Sequence, residues 1–361
     1  MVESLRVYKS MDNQSKDLTV SKYGERNASS SAFGWDFQVN AAILLMAKNM
    51  KHASEIKIEG NREDIEILLS DGKKLYVQAK ATQNPDNYKN QKVKLRDALA
   101  SLYEACDSQT KELIYVTNSN NPLDNRRTIR LFSSCKSYSW KSLPNIAKEI
   151  IEAQAKKIDI GEYSLDIFHI QTIPFEGDDK NNRYRDIQMA IGDLLAYLGI
   201  NIDGYARKIL GVWQEEFRFN TSAKNSEKVL TKNELIWDVV AFMLDDCLNQ
   251  GNSGYLDRLD TAEQAEVRKL YSDFIESKSA DFRFYNRVVS DYERFREGSP
   301  RDMSSQQLSA FIDTKWEKYL PEISNEGFSK FLYETLTKLI LNSVLVRRVE
   351  VEKMQHKVGL K

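Results

Sequence analysis

The stretch Glu59-Gly60-Asn61-Arg62-Glu63-Asp64-Ile65-Glu66-Ile67-Leu68-Leu69-Ser70-Asp71-Gly72-Lys73-Lys74-Leu75-Tyr76-Val77-Gln78-Ala79-Lys80 decides how the chain is read. Apolar and polar residues alternate on both sides of Asp71-Gly72, the pattern of two half-buried strands joined by a tight turn. A two-residue turn would pair Ser70 with Lys73, set Asp64 opposite Ala79 and Gln78 opposite Ile65, and mix polar with apolar side chains on both faces. A three-residue loop, Ser70-Asp71-Gly72 with the glycine left-handed as a bulge, pairs Leu69 with Lys73 instead. Ile65, Ile67, Leu69, Leu75, Val77 and Ala79 then share one face, and Asp64, Glu66, Tyr76, Gln78 and Lys80 share the other. Because side chains repeat their direction every second residue, the apolar pattern itself selects the bulged loop.

The chemical consequence is that Asp64 stands across from Gln78, with Lys80 one pleat further on. A carboxylate, a second oxygen ligand and a lysine so placed are the parts of a metal-assisted phosphodiester hydrolase. Mg²⁺ takes oxygen ligands and keeps several waters, so one carboxylate and an amide or backbone oxygen suffice to hold it while phosphate completes the shell. Lysine there stabilises developing negative charge or orients the attacking water. An amphipathic hairpin with a solvated polar face has the same spacing, and the spacing alone fits both.

Outward from the hairpin, Phe37, Ala41, Leu44 and Leu45 recur at helical spacing and predict a helix over 33–50. Ile56 and Ile58 predict a strand over 54–59, and Leu95, Leu99 and Leu102 a helix over 91–105. The β-branched run at 113–117 suits a central strand buried on both faces, and 165–173 a further strand or the start of the second part. After Asn181 the pattern is helical almost throughout, as at 231–247 behind a capping Thr231 and at 327–349. The expected architecture is therefore an α/β domain, a mixed sheet flanked by helices, over 33–175. A polar lead-in over 1–32 precedes it, and an all-α domain over 176–361 follows.

The 361 residues, 41% of them hydrophobic, suffice for two packed domains, and a net charge of −1 means that nucleic acid would be met by a local basic surface. Apolar runs such as 41–46 and 339–346 fall short of the ~20 residues of a membrane span. Cys106, Cys135 and Cys247 are scattered singly, with neither disulfide nor zinc spacing, and a reduced cytoplasmic compartment is expected. His52, His169 and His356 make no ligand pair at helical spacing, and no Walker-type glycine loop is visible.

Gly34-Trp35-Asp36-Phe37-Gln38, Glu63-Asp64-Ile65-Glu66, Gln78-Ala79-Lys80 and Tyr115-Val116-Thr117-Asn118-Ser119, in that order, resemble the N-terminal nuclease domain of the CD-NTase-associated double-stranded DNA endonucleases, a branch of the PD-(D/E)XK superfamily. The resemblance covers the first third to two-fifths of the chain. It implies that Asp64 is the metal-binding aspartate, Gln78 the second acidic position and Lys80 the catalytic lysine, with Mg²⁺, or Mn²⁺ in its place, as cofactor. Gln78 departs from the usual Asp or Glu, although the Gln-x-Lys form is similar to restriction nucleases related to Mrr. A neutral amide binds Mg²⁺ less strongly than a carboxylate, which leaves the number of metals open. Glu59 reads as a further ligand or a solvated strand end, and Gln38 as a ligand from the first helix or a packing residue.

Lys89, Lys92, Lys94 and Arg96 follow the hairpin, where they would meet phosphates of double-stranded DNA or form an ordinary solvated face. Tyr76 and Tyr88 are candidates for base stacking or for packing. The strip 173–179 reads as a strand-to-helix connection or an inter-domain contact, and Trp213, Trp237 and Trp316 as core of the helical half.

The C-terminal nucleotide-sensing domain usual in those endonucleases is not recognisable. A nuclease followed by helices resembles the nuclease subunit of Lamassu-type anti-phage systems, held inactive until an SMC-like ATPase, with a small bridging subunit, senses foreign DNA. It is also similar to nuclease partners of HerA-type ATPases. The helical half would then regulate and oligomerise, since cutting two strands takes two active sites. The alternatives are a catalytically silent DNA-binding scaffold and an RNA-directed nuclease.

Overall fold

The structure is a computed structural model that describes residues 28–360 apart from 88, 159–163, 223–228, 250–253, 277–280, 299–303 and 324–328. Most of the polar lead-in, and Tyr88, lie outside the described residues. The first helix, α1 (Ala28–Asn49), begins five residues before the start expected at 33, because a serine-rich first turn carries no periodicity.

After α1 come β1 (Ala53–Ile58), β2 (Ile65–Leu69) and β3 (Lys74–Lys80), an antiparallel meander. Ile65 faces Val77 and Ile67 faces Leu75, the Leu69 N–H donates to the Lys73 carbonyl at 2.8 Å, and Gly72 has φ +81°. This is the bulged three-residue loop that the apolar alternation selects. Ile65, Ile67, Leu69, Leu75 and Val77 all lie buried in one core against α1. A one-residue slip would move them out of it at about 1.5–3 kcal/mol each, comparable with a whole domain's stability of about 5–15 kcal/mol.

The chain then crosses over through α2 (Gln91–Ala105) into β4 (Thr110–Thr117), parallel to β3. Next come β5 (Lys136–Ser139), α3 (Asn145–Ala155) and β6 (Phe168–Thr172), the last parallel to β4 and antiparallel to β5. In β4, Leu113 and Tyr115 point into a second core with α2 and α3, while Ile114 and Val116 point into the first. That is the doubly buried central strand expected of the run 113–117.

The rest is helical: α4 (Lys180–Arg183), α5 (Arg185–Leu198), α6 (Tyr205–Ser222), α7 (Lys232–Asn249), α8 (Thr261–Glu276), α9 (Phe282–Glu297), α10 (Ser304–Lys315), α11 (Leu320–Ile323) and α12 (Lys330–Val358). Thr231 and Glu234 cap α7 reciprocally, Glu234 N–H to the Thr231 hydroxyl at 3.2 Å and Thr231 N–H to the Glu234 carboxylate at 2.8 Å. Trp213 is fully buried, Trp316 nearly so, and Trp237 packs at the edge of the same core. The strip 173–179 is a strand-to-helix connection, with Ile173 and Phe175 buried and the Gly177 carbonyl accepting from Arg183 Nε at 2.8 Å.

One element departs from an all-α second half. β7 (Leu230–Thr231) adds antiparallel to β1, making a seven-stranded sheet of order β5-β6-β4-β3-β2-β1-β7. Two residues are too few to show a period of two, so no sequence pattern announces this strand. Next to it, buried Lys232 donates to the Val358 carbonyl at 2.7 Å and the Lys51 carbonyl at 3.3 Å, so the end of α12 is tied to the start of the sheet. One core runs without a break from α1 and the hairpin to α12.

Gly72 is left-handed, and a Cβ built on it meets nothing within 4 Å, so the cost of a side chain there is in the backbone alone. Gly72→Val should lower unfolding free energy by about 1–2 kcal/mol in urea titration, and Gly72→Asn by less, since asparagine tolerates that conformation. Equal stability of both variants to the wild type would show that the loop adopts another turn.

Candidate active site

β2 and β3 bring Asp64 and Gln78 face to face just beyond the last ladder pair. The Gln78 side-chain amide donates to Asp64 Oδ2, and the Ala79 backbone N–H donates to the same oxygen at 2.9 Å. Gln78 is 5% exposed and Asp64 half-buried. Lys80, also half-buried, ends β3, where the Thr117 hydroxyl donates to its carbonyl at 2.9 Å.

The turn before Asp64 is held from several sides. Glu59 N–H donates to the Asp64 carbonyl at 2.8 Å and Gly60 N–H to the Glu63 carbonyl at 2.9 Å. Gln38, reaching over from α1 and 8% exposed, donates to Glu59 Oε1 at 3.1 Å and to the Asp64 carbonyl at 3.0 Å. Arg62 Nη1 reaches Asp107 at 2.8 Å and the Ala105 carbonyl at 3.0 Å, pinning the turn to the end of α2. A Cβ at Gly60 would collide with the Glu66 side chain, whose carboxylate accepts from the Arg62 N–H at 2.8 Å. Glu59 takes φ +50°, strain of the sort that gathers at functional sites.

The structure thus brings Asp64, Gln78, Lys80, Glu59 and Gln38 to one corner of the sheet. Glu59 is exposed there, with its carboxylate oxygen held by Gln38. Among the basic residues after the hairpin, Lys94 Nζ donates to the Ala81 carbonyl at 2.9 Å, and burial with the charge of Lys80 pushes its pKa down. Lys92 lies 4.0 Å from Asp124, Arg96 lies 3.6 Å from Asp97, and Lys89 is exposed. Of the two uses open to Tyr76, packing is the one found: it is fully buried under α2 and its hydroxyl donates to Asp107 at 3.3 Å, so it cannot stack on a base.

Glu63 is a site residue that the sequence reading passed over. Its place in the chain, next to Asp64 and opposite Ala79 in the register, put it on the apolar face. The bends at 61–64 instead turn it toward α2, where it lies 5% exposed. Burial pushes its pKa up to about 7; the Ser101 hydroxyl draws it back, Asp64 raises it, and Lys80 lowers it. Neither carboxylate oxygen has a hydrogen bond of good geometry. Such a group is costly unless a cation or donor compensates it.

The oxygen donors around the Asp64 turn are the Asp64 carboxylate, the Gln78 amide carbonyl, which meets Asp64 once the amide is turned over, and the Glu59 carboxylate held by Gln38. Hard oxygen donors beside a lysine fit Mg²⁺ and not a thiophilic metal. Among the described residues no group of three His, Cys, Asp or Glu side chains has metal-ligand geometry, so the fit depends on the amide. A cleft of about 670 Å³ between Gln83 and Arg185 is rimmed by Glu176, Asp178 and Asp179, charges that repel phosphate. Among the described residues no helix is long and apolar enough to cross a membrane.

No family model matches the sequence, and no curated protein matches it. Solved structures similar to it include the Acinetobacter baumannii Cap4 SAVED/CARF-domain containing receptor with the cyclic trinucleotide 3'3'3'-cAAA, at 16% identity, TM-score 0.36, over 60% of this chain and 46% of that one. Another structure of the receptor matches at 15% identity and TM-score 0.37 over 60% and 48%. The receptor with 2'3'3'-cAAA matches at 14% and 0.36 over 69% and 61%. The chain thus spans about half the length of the first two, at 46% and 48%. Likeness at these TM-scores assigns neither fold nor activity.

Glu63 yields a pH prediction. Its folded pKa, about 7, exceeds the ordinary 4.5, so the native state binds the extra proton, and the stability this group allows is lost as pH rises through that span. In metal-free buffer, Glu63→Gln should gain stability over the wild type progressively across it, read as the difference in thermal midpoint. A difference that does not vary with pH would mean that Glu63 is solvated.

Proposed function

We propose that the chain is a metal-dependent endonuclease of the PD-(D/E)XK plan that cuts double-stranded DNA as the effector of an anti-phage defence system. The observation that carries this reading is that Asp64 meets Gln78 at the end of β3, with Lys80 two residues further along the same strand and Gln38 and Glu59 bracing the turn before Asp64.

The residues divide the work by position. Asp64, with Gln78 and Glu59, would hold Mg²⁺, and the Ala79 N–H fixes the direction of the Asp64 carboxylate. Mg²⁺ there supplies Lewis acidity, polarising the phosphate and lowering the pKa of an attacking water. Lys80 would stabilise the negative charge that develops on the phosphate oxygens. Gln38 keeps the turn from Glu59 to Asp64 closed, so the carboxylate does not have to be ordered when substrate arrives.

Control through the helical half is part of the proposal. Asp36 of α1, two residues from Gln38, is gripped by Arg218 at 3.0 Å, the Tyr184 hydroxyl at 2.8 Å and Arg183 at 3.6 Å, while Gln214 donates to Asn40 at 2.8 Å. A partner that shifts α5 or α6 would therefore move α1 and, through Gln38, the Asp64 turn. By the resemblance, that partner is an SMC-like ATPase with a small bridging subunit, or a HerA-type ATPase, and a second copy of the chain supplies the second cut.

One observation favours a second reading. In the present geometry Gln78 and the Ala79 N–H satisfy Asp64, as they would in a catalytically silent DNA-binding scaffold. Asp64→Ala and Lys80→Ala should each reduce Mg²⁺-dependent plasmid cleavage by on the order of 10²–10³-fold or more with the circular dichroism spectrum retained. Gln78→Glu should retain cleavage and saturate at lower Mg²⁺. Plasmid binding without cleavage by the wild type would favour the scaffold, and unchanged cleavage by both alanine variants would remove the chemistry from this corner.

A further inference from the structure

Beyond the triad, the same face of the sheet carries a basic loop whose sequence gave no periodic signal. Residues 118–131 leave the end of β4 and return over α2; Leu123 and Phe132 sink into the core that α2 and α3 share, which places the loop on the Asp64–Gln78–Lys80 side. Its shape is built from within. Buried Asn121 accepts from the Asn125 N–H at 3.0 Å and the Thr128 hydroxyl at 3.3 Å, and the Asn125 side chain accepts from the Arg127 N–H at 2.9 Å. Asn120 ties the loop to the segment after Lys80, its N–H to the Pro85 carbonyl at 3.1 Å and its amide to Asp86 at 2.9 Å. Asn118 clasps Thr82, accepting at 2.8 Å and donating at 2.7 Å, and also donates to Phe175.

This scaffold holds Arg126, Arg127 and Arg130 exposed, and none of the three has an ion-pair partner among the described residues. The nearby acids are already engaged: Asp124 by Lys92, Asp86 by Asn120, Asp97 by Arg96. Lys94 of α2 reaches toward the end of β3, where its ammonium donates to the Ala81 carbonyl at 2.9 Å, one residue beyond Lys80. Lys92 meets Asp124 of the loop at 4.0 Å, which sets the arginine-bearing loop against the helix that also carries Lys94, on a chain whose net charge is only −1.

We propose that Arg126, Arg127 and Arg130 form a pre-shaped clamp for the phosphate backbone of duplex DNA flanking the cleaved bond. The inference rests on the nuclease reading and adds the residues that position its substrate. They are positioning residues, since none touches the reacting atoms. Their guanidinium groups suit phosphate, and a loop ordered beforehand loses little entropy on binding.

The test is fluorescence anisotropy of a labelled duplex in EDTA, where no cleavage occurs, across a salt series. Changing Arg126, Arg127 and Arg130 together to Gln should weaken binding by at least ~10-fold and reduce the slope of log affinity against log salt by about 2–3. A charge-matched control, Lys269, Arg283 and Lys353 to Gln, should leave both unchanged. In Mg²⁺ the arginine variant should raise KM with kcat retained, whereas a merely unfolded protein would lose both. Wild-type affinity and slope in the arginine variant, while Asp64→Ala still abolishes cleavage, would overturn the clamp and leave the nuclease reading standing. A loss confined to single-stranded RNA, with duplex binding unaltered, would overturn the assignment to DNA. Duplex binding absent from the wild type would overturn both.

Discussion

The pairing of β2 with β3 in a single register is the constraint from which the site follows. Gly72 supplies the left-handed residue of the loop, and the buried aliphatic side chains of both strands enforce the parity. Given that parity, Asp64 has nowhere to point except at Gln78, and Lys80 must stand on the same face. The chemistry at the corner is therefore set by the same burial that stabilises the sheet. No separate local interaction has to choose it.

A second constraint acts on the turn preceding Asp64. A half-buried carboxylate next to a buried, incompletely satisfied Glu63 is electrostatically costly, and the turn carries strain at Glu59. Gln38, Arg62 and Glu66 offset this with hydrogen bonds from three directions. Tight holding of a costly charge is what a cation site requires, because the metal then needs little rearrangement to enter. The grip of the helical half on Asp36 makes α1 the path by which this corner and the rest of the molecule are joined.

Where the pattern has a clear period, the sequence was legible: the hairpin and its loop, the doubly buried β4, the crossover α2 and the capped α7 were all readable in advance. Asp64, Gln78 and Lys80 followed from the parity. What stayed hidden depends on contacts between distant segments. β7 is two residues long and owes its strand to β1; Glu63 turns inward only because the bends at 61–64 break the alternation. Arg126, Arg127 and Arg130 are ordinary charges in sequence, and only the folded chain shows that they stand exposed on a loop shaped by Asn121. Tyr76, for which stacking and packing were both open, shows the same dependence on a distant segment. On the polar face of an isolated hairpin it would be exposed, but α2 covers that face and turns it into a second core.

A divalent cation at this corner is what the proposed chemistry requires. Anomalous diffraction from crystals of the full chain grown with Mn²⁺ locates such an ion directly. The predicted result is one peak within coordination distance, about 2.0–2.3 Å, of an Asp64 oxygen, with the Gln78 carbonyl oxygen turned toward it. Well-ordered density for the corner with Gln78 and the Ala79 N–H still closed on Asp64 and no peak beside it, at saturating Mn²⁺, would contradict the account.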